Sequence, residues 1–138
     1  MVLVDSSVWI EAMRKTGDLE TKVALEQLLD AYEAAFCSPV KLEVLVGARK
    51  QFRKKTAAYF SIIPYIAVTE EDWQAAIHTG HQLRDEGLTV PNNDLLIATV
   101  ALREGIRVFA RDKHFDSMAE LLPLQLYRPG YGGSYSPG

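Results

Sequence analysis

The sequence predicts an α/β fold around a mainly parallel sheet, and three observations carry that reading. Short apolar runs alternate with amphipathic helical stretches along the chain. The first run, Val2-Leu3-Val4, is apolar at every position, as in a strand buried on both faces. Capping residues, prolines and glycines fall where the helical patterns begin and end.

After the first strand, Asp5-Ser6-Ser7 offers helix caps before Val8–Met13, and Gly17-Asp18 breaks that helix. A second helix is predicted from Leu19 to about Ala34, with Val23, Ala24, Leu28 and Ala31 on its apolar face. Ala35–Cys37 reads as a short strand. Ser38 then caps a helix that opens on Pro39, where proline's missing N–H does no harm, and that reaches about Lys50. A basic segment leads into Thr56–Ser61, and Ile62–Val68 reads as a strand with Pro64 at its start or on an edge. Thr69-Glu70-Glu71-Asp72 is an acidic helix start that complements the helix dipole, and Gly87 ends that helix. Pro91-Asn92-Asn93-Asp94 is a turn and cap before Leu95–Glu104, closed by Gly105. Ile106–Ala110 is predicted as a strand, Phe115–Leu121 as a short helix and Leu124–Tyr127 as a last strand. Residues 1–127 thus form one expected domain. Residues 128–138 hold four Gly and two Pro and read as a flexible tail.

Composition bounds the function. The 138 residues, 48% of them hydrophobic, suffice for one full core. The net charge of −3 excludes a chain that binds nucleic acid by overall charge, so such a contact requires a local basic patch. One cysteine, Cys37, allows no internal disulfide and reads as a small buried hydrophobe, which fits a reducing, cytoplasmic setting. The chain enters its first strand at once, so no signal peptide is expected, and no apolar run approaches a membrane span.

Four acids stand where apolar neighbours make a carboxylate costly. Asp5 ends Val2-Leu3-Val4, Glu43 interrupts Val40–Val46, Asp94 opens Leu95-Leu96-Ile97-Ala98, and Asp112 follows Ile106–Phe109. Asp5 and Asp112 follow strands, and in an open parallel sheet ligands bind beyond the carboxyl ends of the strands. Glu43 has Pro39, Val40, Val46 and Gly47 as its helical neighbours, none of them a cation. Each acid also has an ordinary role: Asp5 and Asp94 as caps, Asp112 in a turn, Glu43 bonded to a buried amide or a distant Arg. Brought together, the four are oxygen donors without Cys or His, which selects Mg²⁺ or Mn²⁺ over zinc and points to metal-dependent phosphodiester chemistry.

The motifs that surround these acids resemble those of PIN-domain ribonucleases, most closely the VapC-type toxins of bacterial toxin–antitoxin pairs. They are Leu3-Val4-Asp5-Ser6-Ser7-Val8-Trp9-Ile10, Ser38-Pro39-Val40-Lys41-Leu42-Glu43-Val44 with Gly47, Asn93–Ala101, and Phe109-Ala110-Arg111-Asp112-Lys113-His114-Phe115. The resemblance covers about residues 1–127 and implies a PIN-like three-layer fold, its central sheet flanked by helices. It places the family's acids on Asp5, Glu43, Asp94 and Asp112, as metal ligands and catalytic groups, and its hydroxyl on Ser6. One departure is Ala110, where members often carry Thr or Ser, which puts a supporting hydrogen bond in doubt. Asp116 is a possible auxiliary acid or a helix cap. The resemblance further implies hydrolysis of RNA to a 5′-phosphate and a 3′-hydroxyl, a homodimer, and an antitoxin that docks near Val8–Ala31.

Arg49-Lys50-Gln51-Phe52-Arg53-Lys54-Lys55 carries five cations in seven residues. It reads as a phosphate contact through residues such as Arg49, Arg53 and Lys54, or as a solvated helix end. Arg111, Lys113 and His114 adjoin Asp112 and are further candidates for RNA contact. His78 and His81 read as exposed helix residues, and Trp9 and Trp73 as core or subunit contacts. Two other classes are considered. A phosphorelay receiver would need paired acids near the first strand and a late lysine, neither of which is evident. A catalytically inactive PIN-like scaffold that binds RNA or protein would have no need of all four acids.

Overall fold

The computed structural model describes all 138 residues. Four parallel strands, β1 (Val2–Val4), β2 (Ala34–Cys37), β3 (Tyr65–Ile66) and β4 (Arg107–Phe109), form a sheet in the order β3-β2-β1-β4. Every residue of β1 and β2 is buried, so helices cover both faces of the sheet centre. The helices are α1 (Ser6–Met13), α2 (Leu19–Asp30), α3 (Ser38–Gly47), α4 (Arg53–Phe60), α5 (Glu70–Asp85), α6 (Asn92–Glu104) and α7 (Lys113–Leu121). The predicted α/β architecture is the observed one.

The differences lie at element ends. Helix α2 stops at Asp30 rather than near Ala34 because Tyr32 turns the chain with φ of 56°. Its buried face is Thr21, Ala24, Leu25 and Leu28. Ala31 is exposed and Val23 only partly covered, which corrects the expected stripe. The strand expected over residues 62–68 narrows to Tyr65–Ile66 at the sheet edge. Residues 124–127 make a single parallel bridge, Leu126 to Val108. There Val108 N–H donates to Gln125 O (2.9 Å) and Tyr127 N–H to Val108 O (2.7 Å).

The core is one cluster seeded by β1. Trp9 is buried, donates its indole N–H to Val4 O (3.3 Å) and packs on Phe60, which meets Phe36 edge-on at 4.7 Å between ring centres. Helix α5 opens with a capping box between Thr69 and Asp72. Asp72 is also gripped by Arg103 of α6 through two bonds of 2.8 and 2.9 Å, while the same guanidinium reaches Ala67 O. Burial alone would raise the Asp72 pKa, but the Arg103 and Thr69 bonds outweigh it and hold the carboxyl below its usual range. This clasp locks α6 onto α5 and so fixes the helix that carries Asp94.

Residues 128–138 lie against the body of the domain. A short 3-10 turn, Tyr131–Gly133, rests on α2. Arg107 donates to Ser136 O (3.0 Å), and Ser136 N–H donates to the Tyr127 hydroxyl (3.1 Å). Glycine here serves close approach rather than mobility. A Cβ on Gly133 would lie 2.6 Å from Glu20 O, and its φ of +92° disfavours other residues. Gly133→Ala is therefore expected to lower the unfolding free energy by about 1–3 kcal/mol and to make the tail more sensitive to proteolysis, read by urea melts and by limited chymotrypsin digestion at Tyr131 and Tyr135.

Candidate metal centre

β1 lies between β2 and β4, so the connection out of β1 leaves from the middle of the carboxyl edge. Asp5 is the first residue beyond it and is nearly fully buried. It caps α1: its Oδ2 accepts from Ser7 N–H (3.1 Å) and from the Ser7 hydroxyl (2.5 Å). Its Oδ1 is buried without any hydrogen-bond partner. Burial raises the Asp5 pKa, the Ser7 bonds oppose that, and the Glu43 charge adds to it. Ser7 is held in turn by Arg111 N–H, which donates to its hydroxyl oxygen at 3.0 Å. The β4 side of the site is thereby tied to Asp5 with Ala110 in place.

Helix α3 carries Glu43, half-buried, where it faces α1 and α6. Its Oε2 accepts from the Ser6 hydroxyl (3.1 Å) and its Oε1 from the Asn93 amide (3.1 Å). Two neutral donors from other helices orient it. Asp94 sits in the first turn of α6, where the helix dipole favours an anion. It is not the cap, a place taken by Pro91. Burial drives its pKa up to about 6. The His114 bond acts against this rise, and the charges of Asp5 and Asp112 add to it. Asp112 caps α7 by accepting from His114 N–H (2.9 Å). His114 Nδ1 lies 2.8 Å from Asp94 and 2.7 Å from Asp112, and these carboxylates raise the imidazole pKa, the Asp94 bond foremost.

The four predicted acids are thus linked in a chain of contacts and mutual charge effects from Glu43 through Asp5 and Asp94 to Asp112. Ligand atoms of Asp94, Asp112 and His114 lie within 4.8 Å of one another. An unpartnered buried carboxylate oxygen beside further oxygen donors fits a hard divalent cation. Asn93 and His114 join the cluster without having been singled out for it. Both flank predicted acids in the sequence, but nothing local shows that they bond across elements.

Other candidates lie elsewhere. Arg111 turns its guanidinium away from the acids, to Thr21 Oγ1 (2.6 Å) and Asp18 Oδ2 (3.3 Å) at the start of α2. Asp116 pairs with Arg128 rather than joining the acids. The five cations of residues 49–55 are exposed around the junction of α3 and α4, and Phe52 is half exposed among them. Cys37 is buried, which pushes its thiol up to about 12 and leaves it inert. Trp9 is core. Trp73 instead lines an exposed apolar groove between α5 and α6 with Ile77, His81 and Leu95, and His78 is exposed on α5.

The model of the PIN domain family matches residues 2–121. The ribonuclease VapC11 of Mycobacterium tuberculosis is 35% identical over 130 residues, 91% of this chain and 96% of that protein. The chain belongs to the VapC ribonucleases of the PIN-domain family. Solved structures share its fold at lower identity. VapBC2 of Rickettsia felis, bound to a promoter DNA fragment, superposes with a TM-score of 0.75 at 23% identity, over 92% of this chain and 98% of that one. A toxin–antitoxin complex from Klebsiella pneumoniae gives 0.65 at 20% identity, over 82% and 88%. The VapC assignment agrees with the acid-lined carboxyl edge. No helix of the chain is long and apolar enough to cross a membrane.

A raised carboxyl pKa has a definite stability signature. The folded state binds the Asp94 proton more tightly than the unfolded chain does. That stabilisation is full below the unfolded pKa and is lost as pH rises through about 6. Without divalent cation, urea melts of the wild type relative to Asp94→Asn should therefore lose up to about 3 kcal/mol between pH 4 and pH 7. A pH-independent difference would contradict the placement of Asp94 among other acids.

Proposed function

We propose that this protein is a Mg²⁺- or Mn²⁺-dependent endoribonuclease toxin, neutralised by a cognate antitoxin. The observation that carries the reading is Asp5 Oδ1, a buried carboxylate oxygen with no protein partner, set among Glu43, Asp94 and Asp112. Family membership supports the same chemistry. Asp5, Glu43, Asp94 and Asp112 would hold the cation. When bound, it would acidify and orient a water and offset charge on the phosphate in the transition state. Ser6 holds the Glu43 carboxylate from one side and Asn93 from the other, and each Glu43 oxygen keeps a lone pair for a water proton. Hydrolysis here would add water at phosphorus and break the bond to the 3′ oxygen. Glu43 would take one proton from the water, the leaving 3′ oxygen would gain one from solvent to become the hydroxyl, and the phosphate would stay on the 5′ side.

Substrate contact is assigned to Arg49, Arg53 and Lys54, with Lys113 beside the acids. The exposed Phe52 offers a face for a base. Arg111, expected as an RNA contact, is instead assigned as a positioning residue, since its backbone holds Ser7 and its side chain is engaged on α2. The antitoxin is assigned to the surface of α1 and α2, where Ile10, Met13 and Leu19 are exposed, and a second copy of the chain to the Trp73 groove. These assignments imply a cytoplasmic protein.

The test is cleavage of a mixed tRNA and rRNA pool by purified protein, with Mg²⁺ or Mn²⁺ against EDTA. Discrete metal-dependent fragments carrying 5′-phosphates are expected, with Asp5→Asn slower by at least about 100-fold but still folded. Cutting that survives the substitution, or no cutting by either protein, would favour the inactive scaffold. The double variant Arg53→Glu, Lys54→Glu should lower kcat/KM about tenfold in low salt and much less in high salt. An equal loss at every salt concentration would remove these residues from the RNA path.

A further inference from the structure

His114 stands where a cation would. Its Nδ1 lies between Asp94 Oδ2 and Asp112 Oδ1, at 2.8 and 2.7 Å, and so bridges the start of α6 to the start of α7. The geometry points to His114 as a displaceable plug of the metal site: loading a divalent ion requires its ring to leave Asp94 and Asp112. This rests on the reading of the acids as metal ligands given above.

Three arguments distinguish a plug from a ligand. First, Nδ1 lies within hydrogen-bond distance of both carboxylate oxygens, 2.8 and 2.7 Å away, so the ring already fills the point where the two acids converge. Second, Mg²⁺ sits about 2.0–2.1 Å from each oxygen and takes oxygen ligands by preference. An ion bound by both carboxylates takes the space the ring nitrogen fills. Third, the ring is free to go. Its side chain is 42% exposed, on the second residue of α7, and makes no part of the buried core. The Asp112 oxygen keeps its bond from His114 N–H when the ring swings out, so the cap of α7 survives the exchange.

The experiment is Mn²⁺ binding to the full chain by calorimetry at one pH and ionic strength, for wild type and His114→Ala. The plug predicts binding about tenfold tighter in the variant, since the ion no longer displaces a charge-assisted bond. Weaker binding would make the ring a ligand, and equal binding would make it a bystander; either overturns the proposal. A second readout needs no variant. In ¹⁵N-labelled wild type titrated with Mg²⁺, the His114 ring resonances should move towards those of a solvated imidazole as the site fills, and resonances that stay in place would overturn the plug. Asp94→Asn separates the two levels of inference. If it binds Mn²⁺ as well as wild type, the metal-site reading itself fails and the plug with it. If it binds poorly while His114→Ala is unchanged, the site stands and only the plug fails.

Discussion

One carboxylate oxygen without a partner is the constraint on which this structure turns. A buried, unpaired carboxylate is among the most costly groups a small domain can carry. Asp5 carries one at the exit of the central strand, and much of the molecule is arranged to hold it there. Its other oxygen is anchored by Ser7, and Ser7 is anchored by the backbone of Arg111 beyond β4. The geometry of the site is thus tied to the β1–β4 pairing. A shift of that register by one residue would move Arg111 N–H off Ser7.

The remaining acids are held by element ends, and the holding groups serve two purposes. Asp5 and Asp112 each use one oxygen to cap a helix, which fixes the carboxylate plane while leaving lone pairs for the site. Asp94 relies on the placement of α6, which the Asp72–Arg103 clasp locks against α5. Glu43 depends on both neighbours at once, since Ser6 belongs to α1 and Asn93 to α6. The site is therefore no more rigid than the packing of α1, α3 and α6 around it. Damage to the clasp reaches Asp94 along α6, which carries Arg103 near its other end.

The acids were legible because each interrupts an apolar pattern, and a pattern broken by a charge is visible in a single sequence. The parallel sheet and the carboxyl edge on which the acids gather followed from β/α alternation, whereas the strand order β3-β2-β1-β4 depends on pairings between distant segments. What was not legible depends on long-range contact. Arg111 neighbours Asp112 in the chain, yet its guanidinium is committed to Asp18 and Thr21, more than 85 residues earlier. The Gly-rich terminus reads as mobile by composition. Gly133 is there because a backbone must touch a backbone, which no local rule signals. Tyr32, a residue with little liking for the left-handed region, ends α2 without a glycine to announce it. His114 and Asn93 sit beside predicted acids, but their partners come from other helices.

Stability and chemistry pull apart at this edge, and the direction of the pull favours an enzyme over a scaffold. A protein that only needed the fold would gain from an amide at position 5, because it removes the unpaired charge and still caps α1. Asp94 would likewise be better neutral, as its pKa near 6 records. Serines and an asparagine already surround these acids, so the local backbone accepts uncharged polar residues without difficulty. Carboxylates at Asp5, Glu43, Asp94 and Asp112 are favourable together only when positive charge joins them. Such charge binds the folded chain and not the unfolded one, so it stabilises the fold in proportion to its occupancy. The mutual repulsion of these carboxylates, a cost to the bare fold, is therefore what would favour a cation among them.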